Sequence, residues 1–341
     1  MAVGAVCELS FTDMKKIVLL LLSACLLAGC ASRDLIVARD LDSGRLPPPD
    51  RTLGIAGLGP CTDNPDRSLH LKAGEPVTVL VHGCFGSSGQ FRALAQVLAF
   101  QGQQSACFTY DDRAALDDSA GALLRAATQL AVQAGSSPVT VIGHSQGALI
   151  ARRALTDALD SASSLPDTPA VDWRLVTISG PFSGIAAARS CGRNWLYPLT
   201  LGLLPLSCNL FTGPKWKDIT FSSDFITQPG QLLPGVSHLK IDTNEVGSCR
   251  RETDGRCLES DKIFSLAEQR NAEVEASPAV DRVQVQAGHV EIVGDKLKAP
   301  TKLITLLLEK GVLRPFAANR RSEFERMLAK VYGPDGDGGR R

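Results

Sequence analysis

Ser145 sits at the centre of Gly143-His144-Ser145-Gln146-Gly147, between the β-branched run Pro138–Ile142 and the helix-forming run Ala148–Leu155. That spacing predicts a sharp strand-to-helix turn. Glycines two residues away on each side let the backbone reverse without a Cβ collision and leave the serine protruding. The helix that follows directs unpaired N–H groups at whatever the hydroxyl attacks. A serine hydroxyl is a poor nucleophile near neutral pH and needs a base within hydrogen-bond reach, itself oriented by a third group. The chain has five histidines, so the base can be sought by elimination. His144 is locked inside the turn, His82 is placed to brace a loop, His70 lies upstream, and His238 falls within a strand. His289 follows the last predicted strand, in Gln286-Ala-Gly-His-Val-Glu291, and is the expected base.

A tetrahedral intermediate also needs donors aimed at its developing negative oxygen. The backbone N–H of Gln146 is one by construction of the turn. The second is expected from His82-Gly83-Cys84-Phe85-Gly86, after the first buried strand, through the amide of Cys84, with Phe85 in reserve.

The elements that must position these groups alternate. Predicted strands are Val77–Val81, Ala106–Tyr110, Val139–Ile142, Arg174–Ile178, a weaker Ser237–Ile241 and Val283–Val285. Predicted helices are Gln90–Phe100, Asp118–Ala134, one from Gln146, Ala299–Lys310 and Arg321–Val331. Such alternation implies an α/β fold: a mostly parallel central sheet with helices on both faces and active groups at the carboxyl ends of the strands. Two stretches break the rhythm. Residues 179–235 carry an apolar segment, Trp195–Leu206, and Thr243–Ser260 is polar; both read as insertions.

At 341 residues and 44% hydrophobic content the chain can bury a large core. Basic and acidic residues balance at 36 each, and no basic block interleaved with aromatics occurs, which argues against a nucleic-acid partner. Met14-Lys15-Lys16 followed by the apolar run Ile17–Leu27 has the form of an export signal, too short to span a bilayer comfortably. It closes on Leu27-Ala28-Gly29-Cys30, which resembles the lipobox of bacterial lipoproteins. On that resemblance the true start is Met14, residues 1–30 are the signal region, and Cys30 becomes the lipid-bearing residue. A lipid-anchored protein of a bacterial cell envelope is implied, on the outer membrane by the residue after the cysteine. Residues 31–51 read as a tether, 52–332 as the catalytic domain with a cap insertion at about 181–235, and 333–341 as a disordered tail. Of ten cysteines, Cys7, Cys25 and Cys30 belong to the leader or anchor. The remaining seven fit an oxidising compartment, with Cys191–Cys208 and Cys249–Cys257 as preferred bridges. Cys84 is left over or bridged, for example to Cys107. No spacing suggests a metal site.

His82-Gly83-Cys84-Phe85-Gly86, the Ser145 turn, Asp261 and Gly288-His289 together resemble the α/β-hydrolase superfamily, nearest to bacterial serine lipases and esterases, over about Val77 to Lys310. In that superfamily the acid lies between nucleophile and base in chain order. Asp261, in Ser260-Asp-Lys-Ile-Phe-Ser265, is the first choice, with Asp242 and Asp254 as alternatives. The resemblance implies a triad of Ser145, Asp261 and His289, no cofactor, and hydrolysis of an ester, lipidic or small, through an acyl-enzyme. The apolar segment Trp195–Leu206 would cap an acyl chain. A thioesterase or acyltransferase with the same triad, or a non-catalytic surface scaffold, are the competing expectations.

Overall fold

A computed structural model describes residues 45–159, 171–186, 213, 215–294 and 299–332. The first half of the chain runs through β1 (Arg51–Leu53), β2 (Leu58–Gly59), β3 (Leu69–Leu71), β4 (Val77–Val81), α1 (Arg92–Phe100), β5 (Gln104–Phe108), α2 (Leu116–Ala134), β6 (Val139–His144) and α3 (Gln146–Ala154). The second half adds β7 (Trp173–Ile178), α4 (Lys215–Asp218), α5 (Asp224–Thr227), β8 (Ser237–Asn244), β9 (Cys249–Thr253) and β10 (Arg256–Ser260). It closes with α6 (Leu266–Gln269), α7 (Ala272–Glu275), β11 (Val280–Gln286), α8 (Thr301–Glu309) and α9 (Arg321–Tyr332).

The Val-Thr-Val-Leu-Val run of β4 is buried at every position, as an interior parallel strand covered on both faces must be. Its side chains alternate between two cores. Val77, Val79 and Val81 meet the apolar faces of α2 and α3, while Leu80 joins the core built with α1, α8 and α9. In α2 the buried Leu116, Ala120, Leu123, Ala127, Leu130 and Ala134 recur at helical spacing, and Gly135 ends the helix in the left-handed conformation. The seven-stranded sheet runs β11-β8-β7-β6-β4-β5-β2, parallel throughout except for β2, which pairs antiparallel with β5. The result is an α/β architecture, a mostly parallel sheet with helices on both faces, as the alternation of elements predicts.

Three features differ from the sequence-based expectation. Strand β8 continues past Ile241 to Asn244. The polar stretch after it contains a hairpin, β9–β10, closed by the Cys249–Cys257 disulfide that its spacing predicts. Cys107 pairs with Cys61 and not with Cys84, because β5 lies beside the segment that leaves β2. Cys84 stays a thiol.

Residues of the signal region with Cys30, most of the tether, Trp195–Leu206, Cys191, Cys208 and the tail lie outside the described residues. Among the described residues no helix is long and apolar enough to cross a membrane. The described residues between 181 and 235 place Phe182, Ile219, Phe225 and Ile226 in the core shared with α2 and α3.

Candidate active site

The turn between β6 and α3 holds Ser145 at φ 57°, ψ −125°, a conformation that costs a side-chain-bearing residue energy and is kept only where the surroundings enforce it. A Cβ on Gly143 would collide with the carbonyl of Gly147, and one on Gly147 with the carbonyl of Val81 at the end of β4. The two glycines are therefore conditions for the turn. The amide of Ser145 donates to Ile178 O at 2.9 Å, which fixes the turn against the end of β7. Gln146 is the first residue of α3, so its amide has no partner within the helix and faces forward.

His289 approaches this turn on the loop after β11. His144 Nε2 donates to the carbonyl of His289 at 2.9 Å, and the two rings lie 4.7 Å apart between centroids. Burial, and then the neighbouring His289, hold the His144 imidazole well below its usual range, so it serves as a neutral donor. Ser145 is buried as a residue, and its hydroxyl makes no hydrogen bond among the described residues.

Asp261, the expected acid, does not meet the His289 ring. His289 Nδ1 pairs with Glu245 Oε1 at 2.9 Å, and the Glu245 carboxylate is fully buried. Its remaining valences are filled. Thr243 Oγ1 donates to Oε1 at 3.0 Å, and the amides of Ile263 and Phe264 donate to Oε2 at 2.6 and 2.7 Å. Phe264 also sets its ring edge-on to His289, 4.8 Å between centroids. A carboxylate so held keeps Nδ1 protonated and leaves Nε2 as the ring's acceptor.

Asp261 grips the same loop by its backbone. Its carboxylate accepts the amides of Val290 (3.1 Å) and Glu291 (2.9 Å), and its carbonyl accepts that of His289 at 2.9 Å. It fixes where the loop sits and does not meet the imidazole. The two alternatives also fall away. Asp242 is ion-paired with Lys240 inside the sheet, and Asp254 lies at the exposed tip of the hairpin. The reason is register. Strands β8 and β11 pair in parallel as far as Asn244 and Gln286. That register puts Glu245, one residue past β8, against the loop that leaves β11, and His289 lies on that loop three residues past the strand.

The loop after β4 closes over the turn. A Cβ on Gly83 would lie 2.9 Å from Ser145 Cβ and 3.4 Å from its Oγ, so only glycine lets this loop approach the serine. His82 braces the loop as expected, stacked on Tyr110 at 4.4 Å with Nδ1 at 2.9 Å from Gly83 O. Phe85 is excluded as a donor, since its amide is given to Asp112 Oδ2 at 2.8 Å. The amide of Gly86 is likewise used, by Gly83 O. The Cys84 amide makes no hydrogen bond among the described residues. That leaves the amides of Cys84 and Gln146 as the candidate pair of backbone donors.

No family model matches the chain, and no curated protein does. Among solved structures it is similar to a lipase from Bacillus licheniformis in its mature form: 16% identity over 76% of this chain and 97% of that one, TM-score 0.48. Esterase B from Lactobacillus rhamnosis is similar at 12% identity over 92% and 96% of the two chains, TM-score 0.45. An esterase from Pyrococcus furiosus is similar at 16% identity over 70% and 82%, TM-score 0.40.

Proposed function

We propose that this chain is a serine hydrolase that cleaves carboxylic esters through an acyl-enzyme on Ser145. The observation that carries the reading is a left-handed serine between a strand and a helix, with a His289–Glu245 pair held against His144 of the same turn. Ser145 Oγ attacks the ester carbonyl while His289 Nε2 takes its proton, and Glu245 stabilises the imidazolium through Nδ1–H. The carbonyl oxygen, now negative, is received by the amides of Gln146 and Cys84. Collapse of the tetrahedral intermediate breaks the C–O bond, and the leaving alcohol takes the proton back from His289. Water then repeats the sequence and frees the acid.

We extend the reading to a lipidic ester. Three of the six large apolar side chains exposed among the described residues adjoin residues of the site: Phe85 is 69% exposed on the Gly83–Gly86 loop, Val246 63% beside Glu245, and Ile263 55% at the amide that binds Glu245. Apolar side chains left in water around a serine suit an acyl substrate better than a polar one. The lipid anchor at Cys30 and the envelope location belong to the same proposal, with the cap insertion at about 181–235 as the cover of the acyl chain.

A fluorophosphonate probe tests the first part. It is expected to label the wild type at Ser145, to fail with Ser145→Ala, and to be strongly slowed by His289→Ala. Full labelling of either variant overturns the assignment, and no labelling of the wild type leaves the scaffold reading. Esters and thioesters of graded chain length separate the esterase from the thioesterase. Radiolabelled palmitate incorporated in cells, and its loss in Cys30→Ser, tests the anchor.

A further inference from the structure

Lys215 is the least explained charged residue near the site. It opens α4 in the cap insertion, its side chain is only 1% exposed, and its ammonium points at the loop after β4. Nζ donates to Cys84 Sγ at 3.0 Å, lies 4.0 Å from Asp112 Oδ2, and stands 5.1 Å from the centre of the Phe85 ring. A lysine is rarely buried this deeply without a task, because taking its charge out of water costs several kcal/mol unless paired.

Asp112 completes the arrangement. The same Oδ2 that faces Lys215 accepts the amide of Phe85 at 2.8 Å, which holds Phe85 at φ 57°. That commitment turns the preceding peptide, and so leaves the Cys84 amide without a partner in the loop. The carbonyl of Asp112 also receives the side chain of Gln146 at 3.4 Å. One aspartate thus touches the neighbourhoods of both backbone donors. The root of the insertion is fastened to the same stretch a second time, since Asp218 Oδ2 accepts the amide of Leu116 at 2.8 Å.

We propose that Lys215 and Asp112 form a buried clamp between the cap insertion and the loop after β4, and that this clamp sets the Cys84 amide as an oxyanion donor. Both are positioning residues; neither reaches the reacting atoms. The inference rests on the ester-hydrolase reading and adds a consequence to it. The oxyanion site then depends on Lys215 staying seated on the loop after β4.

The test is Lys215→Met, with Cys84→Ala as a second variant that keeps the amide but removes the sulfur Lys215 holds. For a short ester, Lys215→Met is expected to lower kcat by about 10²-fold, the order lost when one oxyanion donor is misplaced, with KM changed less than about twofold. Cys84→Ala is expected to lose roughly 10-fold, with a melting temperature near that of the wild type. A readout independent of hydrolysis is the pH profile of Cys84 alkylation by iodoacetamide, followed at the Cys84 peptide. Burial pushes this thiol up and Lys215 pulls it back, so Lys215→Met should move the profile to higher pH. An unmoved profile, or kcat within about twofold of wild type in both variants, overturns the clamp. A wild type that neither hydrolyses esters nor takes the fluorophosphonate fails the parent reading instead, and takes the positioning role with it.

Discussion

The serine turn and the acid–histidine pair solve their placement problems in opposite ways. The turn is local: strand, glycine, serine, glycine and helix follow one another, and the backbone of Ser145 is held by immediate neighbours and by the adjacent ends of β4 and β7. The Glu245–His289 pair is assembled across the sheet. It exists because β8 and β11 end level, and because Asp261 and the 263–264 amides tie the two loops together. A local device should tolerate damage elsewhere and fail only through its own atoms. A long-range one should be sensitive to every tie that sets its register.

The largest expected effect lies in the local device. Ser145→Ala should reduce turnover by about 10⁵-fold or more while leaving the fold intact, since the hydroxyl makes no hydrogen bond among the described residues. Single-turnover release of a chromogenic alcohol measures it. Residual burst kinetics in that variant would show that another nucleophile acts.

The next effect separates the two carboxylates that hold the His289 loop. Glu245→Gln should cost about 10⁴-fold in kcat, because the amide presents the wrong group to Nδ1, and about 1–3 kcal/mol of stability as well, because it weakens the acceptor of the Ile263 and Phe264 amides. Asp261→Asn should act mainly on stability, by about 1–3 kcal/mol in urea unfolding, because it weakens an acceptor for buried amides. Its loss of kcat should be at least about tenfold smaller than that of Glu245→Gln. The reverse ranking would return the acid role to Asp261.

The same contrast explains what the sequence could show. Ser145, the glycines around it and the loop after β4 announce themselves through local spacing. His289 is found by elimination and by its place after the last strand. Glu245 escapes because hydrophobic patterning ends β8 at Ile241. The strand continues through Asp242, Thr243 and Asn244, and its polar members are buried by pairing: Asp242 with Lys240, and Thr243 with the side chain of Gln269. Patterning sees such residues as surface. The signal that could have found it was a glutamate directly after a polar continuation of the strand, within the permitted interval between Ser145 and His289. The Cys61–Cys107 bridge was hidden for a related reason, since it depends on β5 lying beside the chain that leaves β2 and not on the spacing of its cysteines. Lys215 carries no sequence signal at all; a lysine in an insertion reads as solvated.

The smallest expected effect probes each region through one buried histidine. His144 belongs to the serine turn, and His238 begins the acid strand, where its Nε2 meets Thr177 Oγ1 at 2.8 Å. Both are held well below the usual histidine range, His144 by burial and His289, His238 by burial and the positive Arg152 and Lys240. A histidine kept neutral in the fold but free to charge when unfolded contributes its full stability above the unfolded value of about 6.5. That contribution is lost as pH falls below it, because the unfolded chain then binds the extra proton. Each site should remove about 1.4 kcal/mol per pH unit, so urea unfolding at pH 7.5, 6.5 and 5.5 should show a progressive decline toward acid. Asp218 and Asp242, both raised by burial, oppose this only nearer the carboxylate range, where the fold binds the proton first. His238→Gln should reduce the acid slope by about one proton without touching the labelling rate at Ser145. His144→Gln should reduce it equally and slow labelling as well, since it also loosens the carbonyl of His289. Equal effects of the two on labelling would mean that the serine turn is not the self-contained unit its geometry describes.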